Sequence, residues 1–200
     1  MISLRDGLEM LWSDLMARPM RISPHRELPF AIFRYDPEVA GEAEYDLRRQ
    51  LGLFVTRLER EGGMVVRTLS LANLLDGGIR ATRSWEALAE LERSLGFCRA
   101  QETLTSLLAG PRFDLVEKLA ERLNGFSPRP DVVFIVRVGV LAPAIHHVSA
   151  LLGAMKDRTT VPAVLLYPGV AEGPTGLRLY GMSQRDVMAS YHVNIYRGGS

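Results

Sequence analysis

Arg137 is the residue whose position in this chain most demands a partner. It follows the apolar run Val132-Val133-Phe134-Ile135-Val136 and precedes Val138-Gly139. A guanidinium there must meet solvent, a carboxylate or an anionic ligand, because a lone buried charge is prohibitive. A buried or half-buried ion pair with an acid such as Asp36 is the plainer expectation; a ligand or partner site is the sharper one. His146 and His147 follow as adjacent residues. On a helix they point about 100° apart and cannot hold one ion together. Neither has an acid three or four residues on, where Ser149, Ala150 and Leu151 stand. They read as a surface pair near a strand end.

Other chemistry is thinner. A phosphate-cradling loop needs glycine-exposed amides with a Lys and a Ser/Thr at fixed spacing after a strand. No Gly-x-x-x-x-Gly-Lys-Ser/Thr or Gly-x-Gly-x-x-Gly occurs, and Gly169, Gly173 and Gly176 have the wrong spacing. Ser70, Ser149 and Ser183 lack the Gly-x-Ser-x-Gly surroundings of a nucleophile elbow. Cys98 stands beside Arg99, which could lower its pKa, but a structural thiol is the simpler reading. These residues imply no cofactor, no metal and no catalytic centre, and the chain is expected not to be an enzyme.

The elements that must position Arg137 are legible from periodicity. Leu4, Leu8, Leu11, Trp12 and Leu15 form one apolar stripe, with Ser3 as cap and Asp6 in the first turn. Pro29–Tyr35 reads as a strand, Leu47–Leu58 as a helix closed by Gly62-Gly63, and Met64–Leu69 as a strand. Strand, helix and strand in succession build parallel sheets with right-handed crossovers. Three helices then follow: one capped by Ser84, one holding Leu104, Leu107 and Leu108, and one from about Pro111 to Asn124-Gly125. Residues 131–137 and 161–167 are apolar strands covered on both faces, joined by a helix from about Pro143 to Met155. Leu177–Tyr180 and Tyr191–Tyr196 read as two short strands closing the sheet edge. The expected fold is α/β: a three-layer, mostly parallel sheet with flanking helices and a helical insertion between the second and third strands. One domain over 1–200 is expected, with the insertion at about 75–125; a separately folding helical subdomain is the alternative. Such sheets bind ligands at the carboxyl ends of their strands: here Arg34-Tyr35-Asp36, Ser70, Arg137-Val138-Gly139 and Tyr167-Pro168-Gly169.

The 200 residues are 47% apolar and 24% charged, within the soluble globular range. Lys+Arg number 24 and Asp+Glu 23, so no basic arm supports non-specific nucleic-acid binding. Only Lys118 and Lys156 among the basic residues are lysines. A single cysteine forms no internal disulfide and fits a reducing, cytoplasmic setting. No apolar run approaches the roughly 20 residues that span a bilayer, and Asp6, Glu9 and Asp14 interrupt any signal-peptide core.

Residues 131–155, Asp-Val-Val-Phe-Ile-Val-Arg-Val-Gly-Val-Leu-Ala-Pro-Ala-Ile-His-His-Val-Ser-Ala-Leu-Leu-Gly-Ala-Met, with Val161-Pro-Ala-Val-Leu-Leu-Tyr-Pro-Gly169, resemble the BrxB family of BREX (bacteriophage exclusion) systems. The shared pattern is an apolar strand, a glycine turn, Pro143, a Leu-Leu helix and a strand ending Tyr167-Pro168-Gly169. Pro29–Tyr35 and Tyr191–Tyr196 fit it in outline. Arg137, His146 and Val148 depart from the residues that many members carry, marking a divergent branch. The resemblance implies a cytoplasmic anti-phage component. It would act beside a PglZ-like protein of the phosphatase family, a DNA methyltransferase and a large AAA+ ATPase.

Three roles follow. The first is an adaptor that holds a PglZ-like partner, with Leu8, Trp12 and Met16 of the first helix as a docking face or, more simply, as packing on its own sheet. The second is a nucleic-acid contact through Arg48, Arg49, Arg57 and Arg60, interrupted by Glu59 and Glu61. The third is a degenerate nucleotide- or anion-binding module at Arg137, Gly139 and Gly169.

Overall fold

The computed structural model describes residues 3–25, 27–39, 44–82, 84–108, 113–142, 147–172, 176–182 and 193–197. Its centre is three strands in which nearly every residue is buried: β1 (Phe30–Tyr35), β3 (Asp131–Val136) and the first seven residues of β4 (Ala163–Glu172). β2 (Val65–Ser70) and β6 (Asn194–Arg197) are half-exposed, as edge strands should be. The order is β2-β3-β4-β1-β6, parallel throughout. The strand–helix–strand unit β1-α2-β2, with α2 at Glu44–Arg60, therefore does not join neighbours, because β4 and β3 lie between its strands.

Residue alternation sorts the core into two layers. Phe30, Ile32, Val133, Ile135, Ala163 and Leu165 face one side of the sheet. Ala31, Phe33, Val132, Phe134, Val164 and Leu166 face the other. On the second side lie α1 (Leu4–Met16) and α2 through Leu8, Leu11, Leu15, Leu47, Phe54 and Leu58. On the first side lie α3 (Leu71–Thr82), α6 (Leu115–Asn124) and α7 (Val148–Ala154). The three-layer α/β arrangement, with helices inserted between the second and third strands, matches the expectation.

Local chemistry sets the helix ends. Ser3 and Asp6 form a reciprocal capping box on α1. The Asp114 carboxylate accepts from the amides of Val116 and Glu117, so α6 starts at Leu115 rather than at Pro111, which lies outside the described residues. Between α3 and α6 run α4 (Trp85–Leu95, capped by Ser84) and α5 (Phe97–Leu108).

Two expectations change, and a third falls partly outside the described residues. α3 is a further helix, running straight from β2 without a breaker and tolerating Gly77-Gly78 in its interior; a Cβ on Gly78 would collide with the Phe113 ring. β5 (Gly176–Leu179) does not close the sheet edge: it pairs antiparallel with the far end of β4, Gly169–Glu172, as a hairpin. The helix before β4 is described from Val148, and residues 143–146 fall outside the described residues.

Candidate functional site

After β1 the chain crosses to α2 on one face of the sheet, and after β3 it turns through the 3-10 segment Val138–Leu141 to α7 on the other. The two connections part above β4, which lies between those strands, and leave a crevice at the carboxyl ends of the strands. This is the switch-point geometry where open α/β sheets take ligands. Tyr35, Glu44 and Arg137 are common to its two hollows. One, of about 240 Å³, is walled by Leu47, Leu51, Val136 and Leu166. The other, of about 270 Å³, is walled by Gly139, Val140, Pro168 and Tyr180.

Arg137 is not the buried cation that its strand context suggests. β3 ends at Val136, and Arg137 adopts a left-handed φ of 61° that turns it out of the sheet to an exposed position. Among the described residues it forms no ion pair, with Asp36 or any other acid. The buried arginine among the described residues is Arg34, 2% exposed in the interior strand β1, whose Nη1 donates to the Gly169 carbonyl at 3.2 Å. Arg34 also follows an apolar run, and its burial comes from β1 lying between β4 and β6.

The family-motif glycines have packing reasons. A Cβ on Gly139 would collide with the Tyr180 hydroxyl, and one on Gly169 with the Arg178 carbonyl of the β5 hairpin. Tyr167 is 2% exposed and belongs to the core layer under α7. Pro168 stands opposite Tyr35 in register and accepts from the Tyr180 amide at 3.0 Å. Pro143 and His146 lie outside the described residues. Arg137, Gly139 and Pro168 thus share the second hollow, while Tyr167 and Gly169 serve the sheet and hairpin beneath.

Glu44, Arg48 and Tyr180 join the site unannounced by any motif. Arg48 pairs with Glu44 one helical turn away on α2. Tyr180 is another left-handed residue, with φ 50°. Burial, with Glu44 nearby, pushes both the Tyr35 and Tyr180 phenols above their ordinary range, and Arg137 draws both back. Both are therefore protonated hydrogen-bond donors at neutral pH.

The proposed docking face on α1 faces inward instead. Leu8 is buried, and Trp12 and Met16 are half-buried against the second core layer. Trp12 meets Phe54 edge-on at 6.3 Å and carries the Arg57 guanidinium 4.1 Å over its ring. Arg57 also donates to both oxygens of Glu9, at 2.7 and 2.9 Å. Two members of the candidate nucleic-acid stripe, Arg48 and Arg57, are thus committed to carboxylates, while Arg49 and Arg60 are exposed.

Uncovered apolar groups include Met10 on the outer side of α1, Tyr45 and Leu53 on α2, and two neighbours in the helical insertion. Leu95 is 62% exposed and Phe97 56% exposed at the turn between α4 and α5. At the base of this helical hairpin the Trp85 indole N–H donates to Asp76, which also binds Arg80. Cys98 is exposed on α5. Among the described residues no three His, Cys, Asp or Glu side chains gather as a metal-holding group, and no helix is long and apolar enough to cross a membrane.

A family model described as BREX protein BrxB matches residues 67–196. The matched span runs from inside β2 into the tail strand β6 and contains the whole helical insertion, Arg137, Gly139, Pro168 and Tyr180. No curated protein and no solved structure matches the chain.

Proposed function

The chain belongs to the BrxB family of BREX proteins, and from that premise we propose that it is a non-catalytic adaptor. It holds a larger, PglZ-like partner within the anti-phage complex; the AAA+ ATPase and the DNA methyltransferase are further candidate partners. Family membership makes it a BREX component. The observation that supports an adaptor is the α4–α5 hairpin, which lies within the matched span and carries Leu95 and Phe97 at its exposed turn. Only Leu88 of α4 is fully buried, and no α5 side chain among the described residues is. Aromatic residues such as Phe97 are enriched in the cores of protein interfaces.

Co-expression with a PglZ-like protein from the same locus, followed by gel filtration, tests this reading. Co-migration is expected, lost in the double variant Leu95→Glu with Phe97→Glu. Separate elution of the parent proteins at micromolar concentrations overturns the adaptor role. Co-migration that survives both substitutions moves the interface off the hairpin.

A further inference from the structure

The crevice between the β1 and β3 ends is built for more than packing. Its two hollows differ in character: the one under α2 is walled by Leu47, Leu51, Val136 and Leu166, and the other by backbone of the glycine turn, Pro168 and the Tyr180 side chain. Arg137 borders both. Each hollow, at about 240 and 270 Å³, lies just under the range of about 300–1,000 Å³ typical of small-ligand pockets, and the two share Tyr35, Glu44 and Arg137.

The charges there do not cancel. Glu44 is answered by Arg48 on the same helix, so the Arg137 guanidinium is left as an uncompensated cation among the described residues lining the crevice. Two phenols border it, both held in the protonated, donating form. A guanidinium fork with hydroxyl donors beside it suits a phosphate oxygen cluster. The adjoining hollow, walled mainly by Leu47, Leu51, Val136 and Leu166 with the Glu44–Arg48 pair also in its lining, suits a flat ring.

Two of the three non-glycine residues with left-handed backbone among the described residues, Arg137 and Tyr180, line this one crevice. Such conformations persist only where the surroundings enforce them, and they collect at binding sites. The Tyr180 amide donates to the Pro168 carbonyl, and its ring lies close over Gly139.

We propose that this crevice binds a nucleoside monophosphate, with the phosphate against Arg137 and Tyr180 and the base in the hollow between α2 and β4. The site is independent of the α4–α5 surface, so a BREX adaptor would carry a ligand-reading pocket on a separate part of the molecule.

Calorimetric titration of the full chain with AMP, GMP, CMP and UMP tests the proposal, with inorganic phosphate as a separate arm. At least one nucleotide is expected to bind with Kd below about 1 mM and to raise the melting temperature, since binding to the folded state stabilises it. Arg137→Gln, at an exposed position, should weaken binding at least tenfold while leaving the unliganded melt unchanged. Tyr180→Phe should weaken it severalfold. No binding of any of the four nucleotides at millimolar concentration overturns the proposal. So does binding undiminished by Arg137→Gln, or inorganic phosphate binding as tightly as every nucleotide. Because Arg137→Gln leaves the hairpin intact, failure of this proposal leaves co-migration with the partner unaffected, and loss of co-migration leaves the titration unaffected.

Discussion

The first helix and the α4–α5 hairpin carry comparable apolar stripes, but the fold uses them in opposite ways. In α1, Leu4, Leu8, Leu11 and Leu15 are all buried against the sheet, and the neighbouring Trp12 is closed over by Arg57. In α4 only Leu88 reaches the core, while Leu91 is half-covered and Leu95 stands out at the turn. Both helices have a capping serine that accepts from an amide three residues on. Periodicity reports that a helix has an apolar face; what lies over that face is decided by topology, which places α1 across β6 and α2 but carries α4 and α5 out beyond α3.

The comparison breaks most visibly at Leu11, which is fully buried. Leu11→Ala should destabilise the protein by about 2–5 kcal/mol in urea unfolding, from lost transfer energy plus the cavity left behind. An effect below about 1 kcal/mol would mean that α1 is only loosely attached to the sheet. Trp12→Ala comes next. It removes a half-buried ring from Phe54 and uncovers the Arg57 stack, for a loss on the order of 2 kcal/mol, read from the same titration.

Acid distinguishes the two regions more gently. Asp6 is held below the ordinary carboxylate range by the Ser3 hydroxyl and amide, and Asp76 at the base of the hairpin by Arg80 and then by the Trp85 indole. A depressed folded value means the carboxylate's contribution is full above its unfolded pKa, about 3.9. That contribution fades as pH falls through the lower folded value. Melting curves between about pH 5 and pH 2.5 should therefore show Asp6→Asn and Asp76→Asn each losing less stability on acidification than the parent. An unchanged slope would detach that carboxylate from its helix end. Leu95→Ser and Phe97→Ser should change stability least, within about 0.5 kcal/mol each. A larger loss in the isolated chain would show that the hairpin turn is covered by its own protein and would remove it as a docking surface.

Much of the scaffold was legible before any coordinates. Phe30–Tyr35, Val132–Val136 and Ala163–Tyr167 are apolar on both faces, which only central strands of a layered sheet require. The α2 stripe of Leu47, Phe54 and Leu58 has one unambiguous period. α3 escaped because Leu71 follows Ser70 with no breaker and because Gly77-Gly78 lowers helix propensity by about 1 kcal/mol per glycine; its reason is tertiary, the Phe113 ring seated on Gly78. The site was legible only in part. Strand ends pointed to Tyr35, Arg137, Gly139 and Pro168, whereas Glu44 and Arg48 on α2 and Tyr180 beyond the β5 hairpin reach the crevice through folding alone. The exchange of roles between Arg34 and Arg137 has the same origin: each follows an apolar run, but only Arg34 lies between two neighbouring strands, β4 and β6.

That placement of β1 has a consequence for how the protein is made. β1 precedes in the chain both of the strands it lies between, since Phe30–Tyr35 pairs with Ala163–Pro168 on one side and Ala31–Arg34 with Asn194–Arg197 on the other. Until residue 163 emerges, its apolar side chains and both rows of backbone donors and acceptors have no sheet to join. An unpaired apolar strand of this kind is a template for wrong partners, and closing contacts of such separation is slow. β1 therefore takes its place in the sheet only after both of its neighbours, β4 and β6, have been made, and until then both of its edges stay open to wrong pairing.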